Sequence, residues 1–303
     1  MAPSLKHATP ELMAALNEAS DVIDDVIHAL LPETNLPEKR LFDAMRYSCA
    51  SGGKRFRPFL VLASSKLFGV DKECAARVAA AIEFMHCYSL IHDDLPAMDD
   101  SPLRRGKPSL HKEYDEATAI LAGDALQCLA FEVLANPKTH EDPRVRIELV
   151  SLLASASGSH GMVAGQMLDM IAEDEEFDLG EISRLQRLKT GRLMAFCCEA
   201  GAILGKASPA HRMALRNYAH DLGLAFQVTD DVLDVEGDEE ELGKPTTQDD
   251  DAGKATFVST LGLDEAKAKA ELLSKQAIAH LTIFERRADT LRDAAYYVLR
   301  RNS

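Results

Sequence analysis

No apolar run in this 303-residue chain approaches the ~18 residues that a membrane-spanning helix requires. Runs of alternating β-branched residues bounded by turns are also missing, so nothing reads as a sheet. The opening stretch MAPSLKHATPELMAALNEASDVIDD carries acids throughout and no apolar block with a small-residue cleavage site, so no signal or transit peptide is read. The cysteines (Cys49, Cys74, Cys87, Cys128, Cys197 and Cys198) form no C-x-x-C pair. Most sit inside apolar helical patterns, which reads as reduced core thiols in a cytoplasmic protein. Neither G-x-x-x-x-G-K-[ST] nor G-x-G-x-x-G occurs, so a nucleotide-binding loop is not indicated. Basic charge is in deficit: Lys plus Arg total 34 against 49 for Asp plus Glu, a formal net charge of -15. That balance argues against nucleic acid and against anionic lipid surfaces as partners.

What is present is helical. With 46% hydrophobic residues the chain is not disordered, and its length lets it bury roughly three quarters of its unfolded surface without disulfide or metal staples. The helical period runs through 11–31, 38–50, 57–68, 72–92, 115–134, 144–171, 180–205, 208–234, 264–284 and 287–301. Thr9-Pro10-Glu11, Asp71 before Lys72, Ser208-Pro209 and Asp264-Glu265 supply start signals. Segments 75–92 and 193–204 are rich in Ala and Leu around most of their circumference and belong inside a bundle. No linker of domain-separating length and no fixed repeat interrupts this. The expectation is an all-α fold, a single domain over 1–303 of about ten helices. The acidic stretches Glu173–Asp178 and Glu236–Glu241 read as solvated loops.

Two aspartate clusters stand out. The first is His92-Asp93-Asp94-Leu95-Pro96-Ala97-Met98-Asp99-Asp100, directly after an apolar helix. Pro96 ends or kinks that helix, which could return Asp99 to the side of Asp93. In the second, Gln227, Asp230, Asp231 and Asp234 fall at i, i+3, i+4 and i+7, one face of a helix. Ile91, Phe226, Val232 and Leu233 flank the clusters, so both lie on otherwise buried helices. Carboxylates facing one another across a bundle are unfavourable unless cations lie between them. Oxygen-only ligands imply a hard ion, and Mg²⁺ fits when water and phosphate complete its shell.

Local basic groups answer them: Gly52-Gly53-Lys54-Arg55-Phe56-Arg57-Pro58, Leu103-Arg104-Arg105-Gly106-Lys107, Lys189-Thr190-Gly191-Arg192 and Leu242-Gly243-Lys244-Pro245. Arg suits forked contacts with phosphate oxygens and Lys point-charge contacts, so the implied ligand is an oligophosphate. His86 lies seven residues before Asp93, close to the same helix face, which suggests a ligand-facing role.

GGKRFRP, DDLPAMDD followed by LRRG, LAGDAL, GQMLD, LKTG, FQVTDDVLD and GKP occur in this order, and together they carry a resemblance over residues 10–303. The chain resembles the trans-isoprenyl diphosphate synthases, and within them it looks most like the bacterial-type farnesyl enzymes. The resemblance implies an all-α bundle with a deep central cavity, usually a homodimer. It implies Mg²⁺-dependent condensation of isopentenyl diphosphate with an allylic diphosphate (dimethylallyl, then geranyl) to farnesyl diphosphate, with three Mg²⁺ per site once diphosphate is bound. Carried over by motif, Asp93, Asp99 and Asp230 would coordinate Mg²⁺, with Asp94, Asp231 and Asp234 as direct or water-mediated helpers. Lys54, Arg57, His86 and Arg105 would hold isopentenyl diphosphate; Arg104, Lys189, Thr190, Gln227 and Lys244 would hold the allylic diphosphate. Asp93, Asp99, Asp230, Lys189 and Arg104 would thus carry the chemistry.

The run Asp99-Asp100-Ser101-Pro102 departs from relatives that carry further aspartates there, and Thr246-Thr247-Gln248-Asp249-Asp250-Asp251 departs from a usual glycine and single aspartate. The second departure bears on loop ordering, not on chemistry. Product length should depend on what closes the cavity below the first aspartates. Ser89 is at i−4 from Asp93 and on its face; Tyr88 is at i−5, to the side, yet the resemblance points to an aromatic there as the floor for a fifteen-carbon product. The alternatives are a geranyl or geranylgeranyl diphosphate synthase, or a non-catalytic regulatory subunit, which should have lost part of these motifs. A di-iron bundle would need Glu-x-x-His pairs on facing helices, and none is suitably placed.

Overall fold

The computed structural model describes residues 8–50, 52–236 and 256–300. Helix α1 spans Pro10–Leu30, α2 Lys39–Cys49, α3 Phe56–Lys66 and α4 Lys72–Asp93. A short α5 (Leu110–Glu113) leads into α6 (Glu116–Ala135), α7 (Pro143–Ser157), α8 (Met162–Ile171) and α9 (Leu179–Gln186). Then come α10 (Arg192–Leu204), α11 (Pro209–Glu236), α12 (Phe257–Leu261), α13 (Leu263–His280) and α14 (Asp289–Arg300). The all-α expectation holds. The sheet content among the described residues is one two-stranded hairpin, β1 (Leu103–Arg104) against antiparallel β2 (Lys107–Pro108).

Several starts have the chemistry read from the sequence. Thr9 caps α1 by accepting from the Leu12 N–H, and Asp71 caps α4 by accepting from Glu73 and Cys74. The α13 start differs, because Gly262 rather than an acidic residue occupies the cap.

The centre is α4 and α10. Every residue of α10 from Leu193 to Leu204 is buried, and α4 buries Ala75–Ala76, Val78–Met85, Cys87, Ser89 and Ile91. Small residues let neighbours approach closely: a Cβ on Gly201 would meet Ser65 N of α3 at 2.4 Å. One hydrophobic core runs from Leu12 of α1 to Val298 of α14. Over an 18-residue window α4 and α6 do reach the hydropathy of a spanning helix, although neither is an unbroken apolar run. For α4, 67% of that window is buried among other helices, the signature of a core helix. The cysteine reading is corrected in part: Cys49, Cys87, Cys197 and Cys198 are buried, but Cys128 is exposed.

Three long candidates are interrupted. Segment 144–171 divides into α7 and α8 at Gly158–Gly161, where a Cβ on Gly161 would lie 1.9 Å from Ala156 O. Segment 180–205 continues through a π-helical turn at Arg187–Gly191. Segment 264–284 ends as α13 at His280, and a 3₁₀ stretch with Glu285 at φ 50° leads into α14.

Candidate functional site

The first aspartate cluster is a helix end folded back on itself. The Asp99 N–H donates to the Asp93 carbonyl at 2.9 Å, and the Asp100 N–H to Leu95 O at 3.1 Å. Pro96 carries no N–H, so the α-helical ladder stops and this turn replaces it. Beyond it, Arg105 (φ 53°) and Gly106 (φ 76°) form the two-residue link of the hairpin, the positive-φ pair that matches strand twist.

That hairpin sends its two arginines to different walls. Arg104 forms a forked contact with Asp94, which is 2% exposed. Arg105 donates to Gly52 O and lies 3.5 Å from His86 Nε2. Arg57 reaches the same His86 nitrogen at 3.5 Å, and its Nε is buried with no hydrogen-bond partner in the structure. Arg57, Arg105 and His86 therefore converge, and no carboxylate stands within ion-pair distance of them among the described residues. Burial, then Arg57, Arg105 and Arg104, hold the His86 pKa well below the usual imidazole value. Burial likewise lowers Arg57, while Asp230 opposes that shift across the site. Asp230 of α11 thus lies near enough to Arg57 of α3 to act on its charge.

On α11, Asp230 is half-buried and Asp231 and Asp234 are buried. Asp231 accepts the Phe257 N–H at 2.7 Å, which starts α12, and Gln227 donates to Gln186 at 2.8 Å. Phe226 lies 5.9 Å ring to ring from Phe56, an apolar wall joining α11 to α3. Lys54 Nζ lies 5.7 Å from the Tyr297 ring of α14. Lys244 falls outside the described residues.

The π-helical turn carries Lys189 and buried Thr190. Its extra residue per turn widens the helix where these side chains are presented. Lys189 donates to Asp169 of α8 at 2.5 Å, and Gln166 of the same helix donates to Asp93. Gly165 makes this possible: a Cβ there would lie 2.3 Å from Lys189 N. Gln166 and Asp169 carried no role in the sequence reading, although both lie in the GQMLD run. Only packing of α8 on the π turn reveals them.

Asp93 is the most perturbed carboxylate here. Burial pushes its pKa up to about 6; Lys189 opposes this, nearby Asp99 adds to it and Gln166 opposes it. Among the described residues, no three His, Cys, Asp or Glu side chains converge tightly enough to hold a metal ion alone. The donors are nonetheless hard oxygens, and a cation beside Asp93 would relieve the cost of its charge. They fit a hydrated hard cation that takes its remaining ligands from a bound oxyanion.

Tyr88 is half-buried and meets the His92 ring edge-on at 4.9 Å. His92 lies 3.2 Å from Ile120 O, so both rings face α6. Ser89 is buried and donates to the carbonyl of His86 at 2.9 Å.

An all-α bundle with aspartates on two helices and a set of buried basic groups beside them fits a class of enzyme that handles phosphorylated substrates. The sequence profile of the polyprenyl synthetase family matches residues 38–289, and the chain belongs to that family. Its enzymes use a divalent metal. Among relatives, a farnesyl diphosphate synthase from Escherichia coli is 43% identical over 297 residues, 96% of this chain and 98% of its own length. One from Haemophilus influenzae is 46% identical over 243 residues, 80% of this chain and 82% of its own. The apo structure of an FPP/GFPP synthase from Zymomonas mobilis superimposes with a TM-score of 0.87 at 50% identity, covering 95% of this chain and 99% of that one.

Proposed function

We propose that this protein is a prenyltransferase that condenses isopentenyl diphosphate with dimethylallyl and then geranyl diphosphate to make farnesyl diphosphate. The observation that carries the reading is the Arg57–His86–Arg105 pocket, which among the described residues has no carboxylate within ion-pair distance, set beside the aspartate walls. It suits one diphosphate held by the two arginines, with the uncharged His86 ring as a hydrogen-bonding neighbour. A second diphosphate would lie near Lys189, Thr190, Arg104 and Gln227, with Lys244 as a further contact. Lys54 joins the first pocket.

The metal would be Mg²⁺, three ions per site, held by Asp93, Asp99 and Asp230, with Asp94, Asp231 and Asp234 helping directly or through water. When bound it supplies Lewis-acid neutralisation of the departing diphosphate. The remaining work belongs to side chains. Lys189 and Arg104 hold positive charge where the leaving group becomes more negative. Phe56 and Phe226 give an apolar wall that keeps water from the allylic cation. The isopentenyl double bond attacks the allylic carbon, and the proton lost from the new cation passes to the released diphosphate. No side-chain nucleophile is needed. Tyr88, with Ser89 beside it, would floor the cavity.

A homodimer is part of the proposal. Ile120 and Leu121 of α6, Ile147 of α7, and Val163, Met167 and Met170 of α8 are exposed large apolar side chains on helices that pack in sequence. No membrane or nucleic acid takes part, and the cytoplasm is the proposed compartment.

The test is direct. The purified protein is incubated with isopentenyl diphosphate, each allylic starter and Mg²⁺, and the prenyl alcohols are identified after phosphatase treatment. Farnesol as the main product is expected. Absence of any prenyl alcohol longer than the starter supplied refutes the enzyme reading, and geranylgeraniol as the main product moves it to the longer-chain alternative.

A further inference from the structure

Arg57 reaches His86 and Lys54 lies over the Tyr297 ring, yet Arg55 between them turns away from both. It is 4% exposed, has a left-handed backbone (φ 46°) and caps α3 without any side-chain cap bond. Its guanidinium is spent on acceptors from three other elements. It donates to Glu83 Oε1 of α4 at 2.6 Å, to Cys49 O at the end of α2 at 2.7 Å and to Asp24 of α1 at 2.8 Å. Glu83 is 2% exposed and lies three residues before His86, on the neighbouring turn of the same face of α4.

We propose that Arg55, paired with Glu83, is the positioning residue of the isopentenyl diphosphate pocket; the proposal rests on the substrate reading above. A left-handed, non-glycine residue is strained and needs its surroundings to hold it. The pair fixes the turn 52–57 against α4 at the level of His86. Two contacts depend on that height: Arg57 to His86 at 3.5 Å, and the Gly52 carbonyl that receives Arg105. The same turn approaches Arg105 so closely that a Cβ on Gly53 would lie 2.7 Å from its guanidinium carbon. Glu83 also acts on Arg57 from behind and opposes the loss of its charge. A buried ion pair gives little net stability over an apolar pair of the same volume; registry is the better-attested use of one. The two uses are separable.

The experiment compares wild type, Glu83→Gln, Arg55→Lys and the double variant Arg55→Met/Glu83→Met. It measures Tm, kcat, KM for each substrate, and isopentenyl diphosphate binding by titration calorimetry in EDTA. The single variants should raise KM and Kd for isopentenyl diphosphate about 10-fold or more, with the allylic KM changed by less than about threefold. The double variant removes the charge imbalance, so it should recover Tm but not isopentenyl diphosphate affinity. If the single variants fail to fold, the double variant alone decides. Recovery of both Tm and wild-type affinity in it makes Arg55 merely structural and overturns the proposal. Wild type that neither turns over nor binds isopentenyl diphosphate overturns the substrate reading and this proposal with it. Normal wild-type behaviour with unaffected variants overturns the positioning role alone.

Discussion

The backbone N–H of Asp99 donates to the carbonyl oxygen of Asp93, 2.9 Å away and across the turn that contains Pro96. The two carboxyl groups are thereby kept in one neighbourhood, and burial with Asp99 nearby lifts the Asp93 pKa from 3.8 to about 6. Ionising Asp93 therefore costs the folded chain free energy. Between pH 3.8 and about 6 the folded state binds more protons at Asp93 than the unfolded chain does, so stability falls as pH rises through that window and is flat above it.

Asp93→Asn removes that cost. In EDTA at pH 7.5 the variant should be more stable by about 1–3 kcal/mol, the upper figure being the full shift at ~1.4 kcal/mol per pH unit, reduced because the side chain is only half-buried. The gain should vanish near pH 4. Turnover with Mg²⁺ should fall by orders of magnitude. Thermal melts at the two pH values and a prenyl-transfer assay check both halves. Near-normal turnover at saturating Mg²⁺ would contradict the ligand assignment.

His86 gives the opposite pH sign. Its folded pKa lies well below the unfolded value of 6.5, so the unfolded chain takes up a proton first and stability is lost as pH falls below 6.5. His86→Gln should flatten that acid limb. Melting temperatures between pH 7.5 and 5.5 should fall less in the variant than in wild type. Parallel curves would show that the ring is protonated in the fold.

Among the described residues Arg57 has no carboxylate partner to lose, so Arg57→Ala should leave the fold standing. It should weaken isopentenyl diphosphate binding by about 10- to 100-fold, the range for a charged hydrogen bond to phosphate. The allylic KM should move much less. Equal losses for both substrates would place the two diphosphates elsewhere.

Much of this was legible in the sequence because it is periodic or local. The i, i+3, i+4, i+7 spacing placed Gln227, Asp230, Asp231 and Asp234 on one helix face, and Pro96 located the turn that returns Asp99. The missed features depend on tertiary contacts. Gln166 and Asp169 matter only because Gly165 lets α8 press on the π turn, and a π turn has no residue pattern of its own. The hairpin at 103–108 is too short for strand periodicity, although Arg105-Gly106 occupies a turn that favours glycine. Sequence spacing could not reveal that Asp94 meets Arg104, or that Asp231 meets the start of α12.

Tyr88 bears on product length. The ring lies against His92 and faces α6, with burial and the charges of Asp93 and Asp124 raising its phenol pKa. Tyr88→Ala would open space beneath the first aspartates on that side. The product mixture should shift from farnesyl toward geranylgeranyl diphosphate, read by chromatography of the dephosphorylated alcohols. An unchanged distribution would make Tyr88 a packing residue.

Gly165 and Gly201 separate stability from activity. A Cβ on Gly165 would lie 2.3 Å from Lys189 N, and one on Gly201 would lie 2.4 Å from Ser65 N. Both obstacles are backbone, so neither can be avoided by turning a side chain. Alanine at either position should cost about 1–3 kcal/mol, the usual penalty for overpacking. The consequences for catalysis differ. At Gly165 relief requires α8 to move off the π turn, which pulls Asp169 from Lys189 and Gln166 from Asp93. At Gly201 relief separates α10 from α3, three turns along from Lys189. Gly165→Ala should therefore lose turnover per folded molecule, and Gly201→Ala should keep it at a temperature well below its own melt. Circular-dichroism melts with active-fraction-corrected kcat would test this. Equal kcat in both variants would mean that α8 does not set the position of Lys189.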